Sequence, residues 1–186
     1  MKLRLLVLAA LASTTLSGYS LAAVPPGSQG SGEITFKGSV IKAPCGLAPG
    51  EDGDNQHVDL GQISDAQLRT VGWGKQKDFK INLIGCVFEA DDEGNVANTK
   101  ANIRFDGVSV GGTNGFLGVT GEAKGLAVKI TDSSSKQVKI GTASENYTLR
   151  SGDNSLLFSA QVVRLDGQEI VAGSYTGLTN FSLTYL

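Results

Sequence analysis

Two cysteines and one histidine set narrow limits on the chemistry that this chain's side chains can perform. Cys45 and Cys86 stand 41 positions apart. A redox-active dithiol or a metal site needs closer spacing or accompanying histidines, and neither is present around this pair. The single histidine, His57, falls in the polar stretch 51–59 without a Ser or Cys signature of a nucleophilic triad, and it reads as a solvated loop residue. Acidic clusters at 51–54 (EDGD) and 91–94 (DDEG) offer oxygen ligands, yet both lack the alternating spacing and distal Glu of a calcium loop. The glycine-rich stretch 111–115 lacks the Lys-Ser/Thr ending of a phosphate loop and reads as a mobile connection. Glycosylation triplets begin at Asn146 and Asn180, the second inside a strand-like segment. These residues give no reason to expect an enzyme, a cofactor or a metal.

The elements that position them follow a leader. Residues 1–22 carry the three parts of a secretory signal: basic Lys2 and Arg4, the apolar run LLVLAAL at 5–11, and the small-x-small site Ser20, Leu21, Ala22. The mature chain is expected to begin at Ala23 and to be exported, since the apolar run is too short to span a bilayer. Removing 22 residues from 186 leaves 164, the size of one domain. Removing Lys2 and Arg4 from 16 basic residues leaves 14 against 18 acidic ones, a formal charge of −4 without a basic block. Nucleic acid and anionic membrane surfaces are therefore not expected partners. In an exported chain an isolated cysteine pair is most simply a structural disulfide. Closing a loop of this size stabilises the fold by roughly 4 kcal/mol on chain-entropy grounds.

Apolar residues recur with a period of two. Phe79, Ile81 and Leu83 alternate with polar neighbours, as do Ile103 and Phe105, then Leu126, Val128 and Ile130. Val138 and Ile140 continue the pattern, followed by Leu156, Phe158, Ala160 and Val162, and finally by Phe181, Leu183 and Tyr185. Gly, Asn, Asp and Ser clusters separate these runs. One short helix is expected at 64–70 (SDAQLRT), with Ser64 as its N-cap. The fold class is all-β, an immunoglobulin-like sandwich.

The segment 32–41, GEITFKGSVI, has the pattern of a strand but no hairpin partner, because the turn-prone Ala43, Pro44, Cys45, Gly46 and a polar loop follow it. Ile34, Phe36, Gly38 and Val40 share one face, and Glu33, Thr35, Lys37 and Ser39 the other. Two readings are open from the residues alone. The segment is either a strand donated to another molecule or the first strand of a complete sandwich with Gly38 at a bulge.

Features at both ends carry a family resemblance. Tyr185 is the penultimate residue, Gly173 is fourteenth from the C-terminus, Ala43-Pro44-Cys45 precedes the sandwich, and Gly152-Asp153-Asn154-Ser155-Leu156 precedes a strand. With Cys86, these motifs resemble the pilins of chaperone-usher fimbriae, most of all the major shaft subunits of P pili and type 1-like fimbriae, over the whole of 23–186. The resemblance implies an incomplete immunoglobulin-like sandwich that lacks its final strand. A periplasmic chaperone would fill the groove first, and at an outer-membrane usher the N-terminal extension of an identical or related pilin would replace it. It also implies a signal peptide at 1–22, an extension at 23–44 carrying the donor residues Ile34, Phe36, Gly38 and Val40, and a pilin domain at 45–186. Gly173, Phe181, Leu183, Tyr185 and the chain end at Leu186 would line the groove and meet the chaperone. The expected function is that of a structural subunit of a cell-surface fimbria that polymerises by donor-strand exchange and supports adhesion. The alternatives are a minor adaptor or adhesive pilin, or a self-contained secreted β-sandwich binding protein.

Overall fold

The computed structural model of the protein describes residues 32–90, 93 and 99–186. The expected signal at 1–22, residues 23–31 and, apart from Glu93, the acidic cluster at 91–94 lie outside the described residues. The chain divides between Val40 and Ile41. In the first unit, residues 32–40 form neither helix nor strand and all are exposed. The strand expected at 32–41 is thus absent. A strand is defined by its ladder, and an apolar alternation without a hydrogen-bonding partner cannot form one.

Among its described residues the second unit holds twelve strands and one short α-helix. In chain order these are β1 (Gly46–Leu47), α1 (Asp65–Thr70), β2 (Lys77–Cys86), β3 (Lys100–Asp106), β4 (Ser109–Val110), β5 (Phe116–Leu117) and β6 (Val119–Gly121). They continue with β7 (Leu126–Asp132), β8 (Gln137–Val138), β9 (Tyr147–Thr148), β10 (Gly152–Arg164), β11 (Tyr175–Gly177) and β12 (Asn180–Tyr185). The larger sheet runs β1-β2-β10-β7-β5-β4, with β8 added beside β7. A second sheet runs β12-β3-β9, and β11 pairs with β6. Every pairing is antiparallel.

The two-residue alternation explains why these runs become strands facing one core. On β2, Phe79, Ile81 and Leu83 lie opposite Phe158, Leu156 and Asn154 of the long β10. On the other flank of β10, Ala160 and Val162 lie opposite Ile130 and Val128 of β7. The second sheet contributes Ala101, Ile103 and Phe105 from β3, which close into one cluster with Phe79, Ile81, Leu83, Leu156, Phe158, Ala160, Ile130 and Val128, while Val162 packs in a second cluster with Leu68 and Leu126. The centre of the first is aromatic. The Phe158 ring meets Phe105 edge-on at 5.2 Å and stacks on Phe79 at 5.7 Å, while Phe105 reaches Phe181 of β12 at 6.5 Å. Such pairs add to simple burial because ring edges and faces carry opposite partial charge.

Two connections are more ordered than alternation alone suggests. Ser64 caps α1, its side chain accepting the Gln67 N–H at 3.1 Å, as the sequence predicts. The glycine-rich stretch 111–115, expected to be mobile, instead holds a 3₁₀ turn at Gly112–Asn114. Its flanking Gly111 and Gly115 take left-handed backbone angles that favour glycine, and the Gly115 carbonyl accepts the Ile140 N–H at 2.9 Å. That bond also holds Ile140 just past the end of β8.

Phe158 joins three aromatic partners at the centre of the sandwich and is fully buried. Phe158→Ala is expected to cost about 3–5 kcal/mol of stability, measured by chemical denaturation of the folded subunit.

Candidate functional site

The last strand uses one of its two edges. β12 pairs with β3 from Asn180 opposite Asp106 to Tyr185 opposite Ala101. Beyond it, the Lys100 N–H donates to the Leu186 carbonyl at 3.3 Å and the Leu186 N–H donates to the Lys100 carbonyl at 2.8 Å. In an antiparallel ladder such doubly bonded pairs alternate with pairs whose main-chain groups point away. Thr184, Ser182 and Asn180 therefore bond β3, whereas the N–H and C=O groups of Tyr185, Leu183 and Phe181 point to the opposite edge. Among the described residues no strand pairs with that edge.

The same alternation extends through β11. The Ser174 carbonyl accepts the Glu122 N–H at 2.9 Å, so the main-chain groups of Tyr175 and Gly177 turn away from β6. One unpaired edge thus presents Tyr175, Gly177, Phe181, Leu183 and Tyr185. The side chains of Phe181, Leu183 and Tyr185 pack against the main core while remaining half-buried. Burial raises the pKa of both Tyr185 and Tyr175, as expected where desolvation disfavours phenolate. At Gly177 the edge has a notch. An added methyl there would sit 3.4 Å from Leu117, 3.5 Å from Val119 and 3.7 Å from Val128, so those apolar side chains form its floor. The arrangement combines unsatisfied main-chain donors and acceptors with a partly covered apolar core. Only an added strand satisfies both.

The residues expected at this site take distinct positions. Phe181, Leu183 and Tyr185 lie on the unpaired edge. Leu186 continues β12, and alternation turns its half-exposed side chain away from the face bearing Tyr185; it brings the end of the main chain to the site. Gly173 precedes β11 and is not on β12. A Cβ at Gly173 would fall 2.6 Å from Glu122 Cβ and 2.9 Å from the Ala123 nitrogen, so glycine is needed for the chain to pass that turn and enter β11. Ile34, Phe36 and Val40 are 78%, 89% and 101% exposed, and Gly38 has nothing within 4 Å of where a side chain would start. Cys45 and Cys86 form a disulfide that ties the segment before β1 to the end of β2. Tyr175 and Gly177 went unread in the sequence because the glycine removes the apolar side chain that would have marked the alternation.

A model of the fimbrial protein family matches residues 34–186. The chain is 40% identical over 186 residues to the major MR/P fimbria protein of Proteus mirabilis (strain HI4320), covering 100% of this chain and 99% of that protein. Among solved structures it resembles the P pilus rod subunit PapA, with a TM-score of 0.68, 28% identity and coverage of 77% of this chain and 100% of that one. It also resembles a subunit of a chaperone-usher pilus studied for rod uncoiling, with a TM-score of 0.71, 30% identity and coverage of 88% and 100%.

Across the small sheet, Ala101 lies between Tyr185 of β12 and Tyr147 of β9. Burial, with a smaller contribution from the Asp132 carboxylate, raises the Tyr147 pKa to about 12. Because the folded-state value lies above the unfolded one, the contribution is complete below about pH 10 and is lost as pH rises through the folded value. Tyr147→Phe should remain folded further into this alkaline range than the native chain, as followed by circular dichroism and phenolate absorbance.

Proposed function

The chain belongs to the fimbrial protein family and is a structural pilus subunit, not an enzyme; from that premise we propose that it assembles by donating residues 32–41 to the unpaired edge of another subunit. Its place is the exported cell-surface fibre, joined to related subunits. The single observation that carries the proposal is the edge formed by β11 and β12, unpaired among the described residues and backed by half-buried apolar side chains. Residues 23–44 act as the extension and 45–186 as the accepting domain. A periplasmic chaperone occupies the edge before assembly, and an outer-membrane usher oversees the exchange.

The donor and acceptor patterns support a definite register. The donor's inward positions are Ile34, Phe36, Gly38 and Val40, and the acceptor's inward positions recur at the same two-residue interval. Each series has one gap, at Gly38 and at Gly177 respectively. Aligning the two gaps would leave a void. An antiparallel register with Val40 over Gly177 places Phe36 opposite Phe181 and Ile34 opposite Leu183, and it sets Gly38 at the joint between β11 and β12. Val40 then fills the notch floored by Leu117, Val119 and Val128. Burying Ile34, Phe36 and Val40 at about 1.5–3 kcal/mol each gives a contact worth very roughly 5–9 kcal/mol before ordering costs, with the ladder bonds in addition.

The direct test is expression of the subunit with and without a cognate periplasmic chaperone. An incomplete sandwich should aggregate or be degraded when alone and be recovered as a one-to-one complex otherwise; a stable, solitary, folded monomer would refute the proposal.

Deleting residues 24–41 should leave a subunit that still binds the chaperone and still accepts a donor but cannot donate, so that on its own it yields no fibres in electron micrographs. Gly177→Leu should do the reverse. Its side chain occupies the notch, so donation persists while acceptance of Val40 falls at least tenfold in a strand-exchange assay using a synthetic 32–41 peptide. Gly38→Asn should reduce fibre yield without lowering recovery of the chaperone complex.

A further inference from the structure

One side chain makes the two ends of the disulfide unequal. The Asn154 amide is held by the main chain around it: Oδ1 accepts the Arg150 N–H at 2.9 Å, and Nδ2 donates to the carbonyls of Arg150 at 2.7 Å and Gly152 at 3.4 Å. This fixes which way the amide points. Nδ2 also donates to Cys86 Sγ at 3.3 Å. The adjacent Asp153 carboxylate accepts the Gly85 N–H at 2.9 Å, which pins the end of β2 against the same turn. Exposure differs in the opposite sense, with Cys45 at 8% and Cys86 at 2%. Cys45 is flanked by the two-residue β1, whereas Cys86 ends the ten-residue β2.

We propose that this asymmetry gives thiol–disulfide exchange a direction, with Cys45 as the sulfur that is attacked and Cys86 as the leaving thiolate held by the Asn154 amide. In reduction, an incoming thiolate bonds Cys45 Sγ, the Cys45–Cys86 bond breaks, and its electron pair leaves on Cys86 Sγ, which then takes a proton from water. Disulfide formation runs the same path backwards. The Cys45 thiolate attacks a protein or small-molecule disulfide, which acts as the oxidant: its S–S bond breaks, one sulfur bonds Cys45 as a mixed disulfide and the other leaves as a thiolate. The Cys86 thiolate attacks Cys45 Sγ, and the oxidant departs as a thiolate. A donor to sulfur stabilises the anion far more than the neutral disulfide, and a stabilised leaving thiolate departs faster. Asn154 is thus a positioning residue for the exchange, reached through Cys86.

The test uses folded full-length subunits in their native fibres and reduced glutathione as the probe. Samples are quenched with an alkylating agent at early times, and peptide mass spectrometry identifies which cysteine carries glutathione. The expected result is an adduct on Cys45 with Cys86 alkylated, in about tenfold excess over the reverse species. An even distribution, or a majority on Cys86, overturns the proposal without recourse to any variant. Asn154→Asp keeps the acceptor for Arg150 but removes the donor to sulfur. It should slow glutathione attack about tenfold and even out the adduct distribution. An Asn154→Asp protein that keeps the native rate and the native distribution also overturns the assignment.

Discussion

A main-chain N–H or C=O removed from water without a partner destabilises a fold by more than most side-chain contacts return. β11 and β12 present a row of main-chain groups without a strand partner at Tyr175, Gly177, Phe181, Leu183 and Tyr185, all on the side facing away from β6 and β3. The same residues hold the last part of the core, so the groups cannot be satisfied by water without also wetting Phe181 and Leu183. Strand alternation forces this coincidence. Main-chain groups alternate between the two edges and side chains between the two faces with the same period, so an inward-facing residue on an edge strand always shows its main chain to one neighbour. Any agent that repairs the edge must therefore supply both a ladder and an apolar face, which an extended segment does and a helix or a loop does not.

The rest of the subunit is arranged to survive this deficit. β10 is the longest strand and lies at the centre of the larger sheet, bonded to β2 on one side and β7 on the other. It carries Phe158, whose ring meets Phe79, Phe105 and Tyr147, so the aromatic centre is anchored on the complete sheet. The disulfide acts on a short edge element of that sheet, since β1 is two residues long and its ladder with β2 is short. Tying Cys45 to Cys86 holds the point where the N-terminal segment enters the body. Asn154 belongs to the same junction because it bonds Cys86 and closes the turn into β10.

Much of this was legible in the residues. Phe79, Ile81 and Leu83, or Ile103 and Phe105, could face one core only as strands, and β2, β3, β7, β10 and β12 follow from such alternation. Ser64 announced its helix by chemistry alone. The misses have physical causes. Residues 32–41 have the side-chain pattern of a strand, but pattern gives only a propensity, and among the described residues no strand offers them a ladder. The short β4, β5, β6 and β11 hold two or three residues each, too few for a period to register. Gly173 was legible as a special position, though its place is set by a close approach to Glu122 and Ala123 that no local rule reveals. The order of strands in the sheets depends on long-range pairing and lay beyond local pattern altogether.

Donor and acceptor are different surfaces, and this decides what kind of assembly the proposed exchange can give. A self-complementary patch pairs with its own copy and closes into a dimer, whereas a strand that fits an edge elsewhere on the next copy leaves one donor and one acceptor free at every step. Growth is then linear and has a polarity. The two gaps reinforce the distinction, since Gly38 and Gly177 fall at non-equivalent places along their strands, and the proposed antiparallel register fills the notch with Val40 while keeping Ile34 and Phe36 on the edge. In the proposed exchange the features that leave the single subunit incomplete, an apolar segment that is exposed and an edge that is unpaired among the described residues, serve as the two complementary halves of one interface, and on that reading neither could be improved for the monomer without removing the fibre.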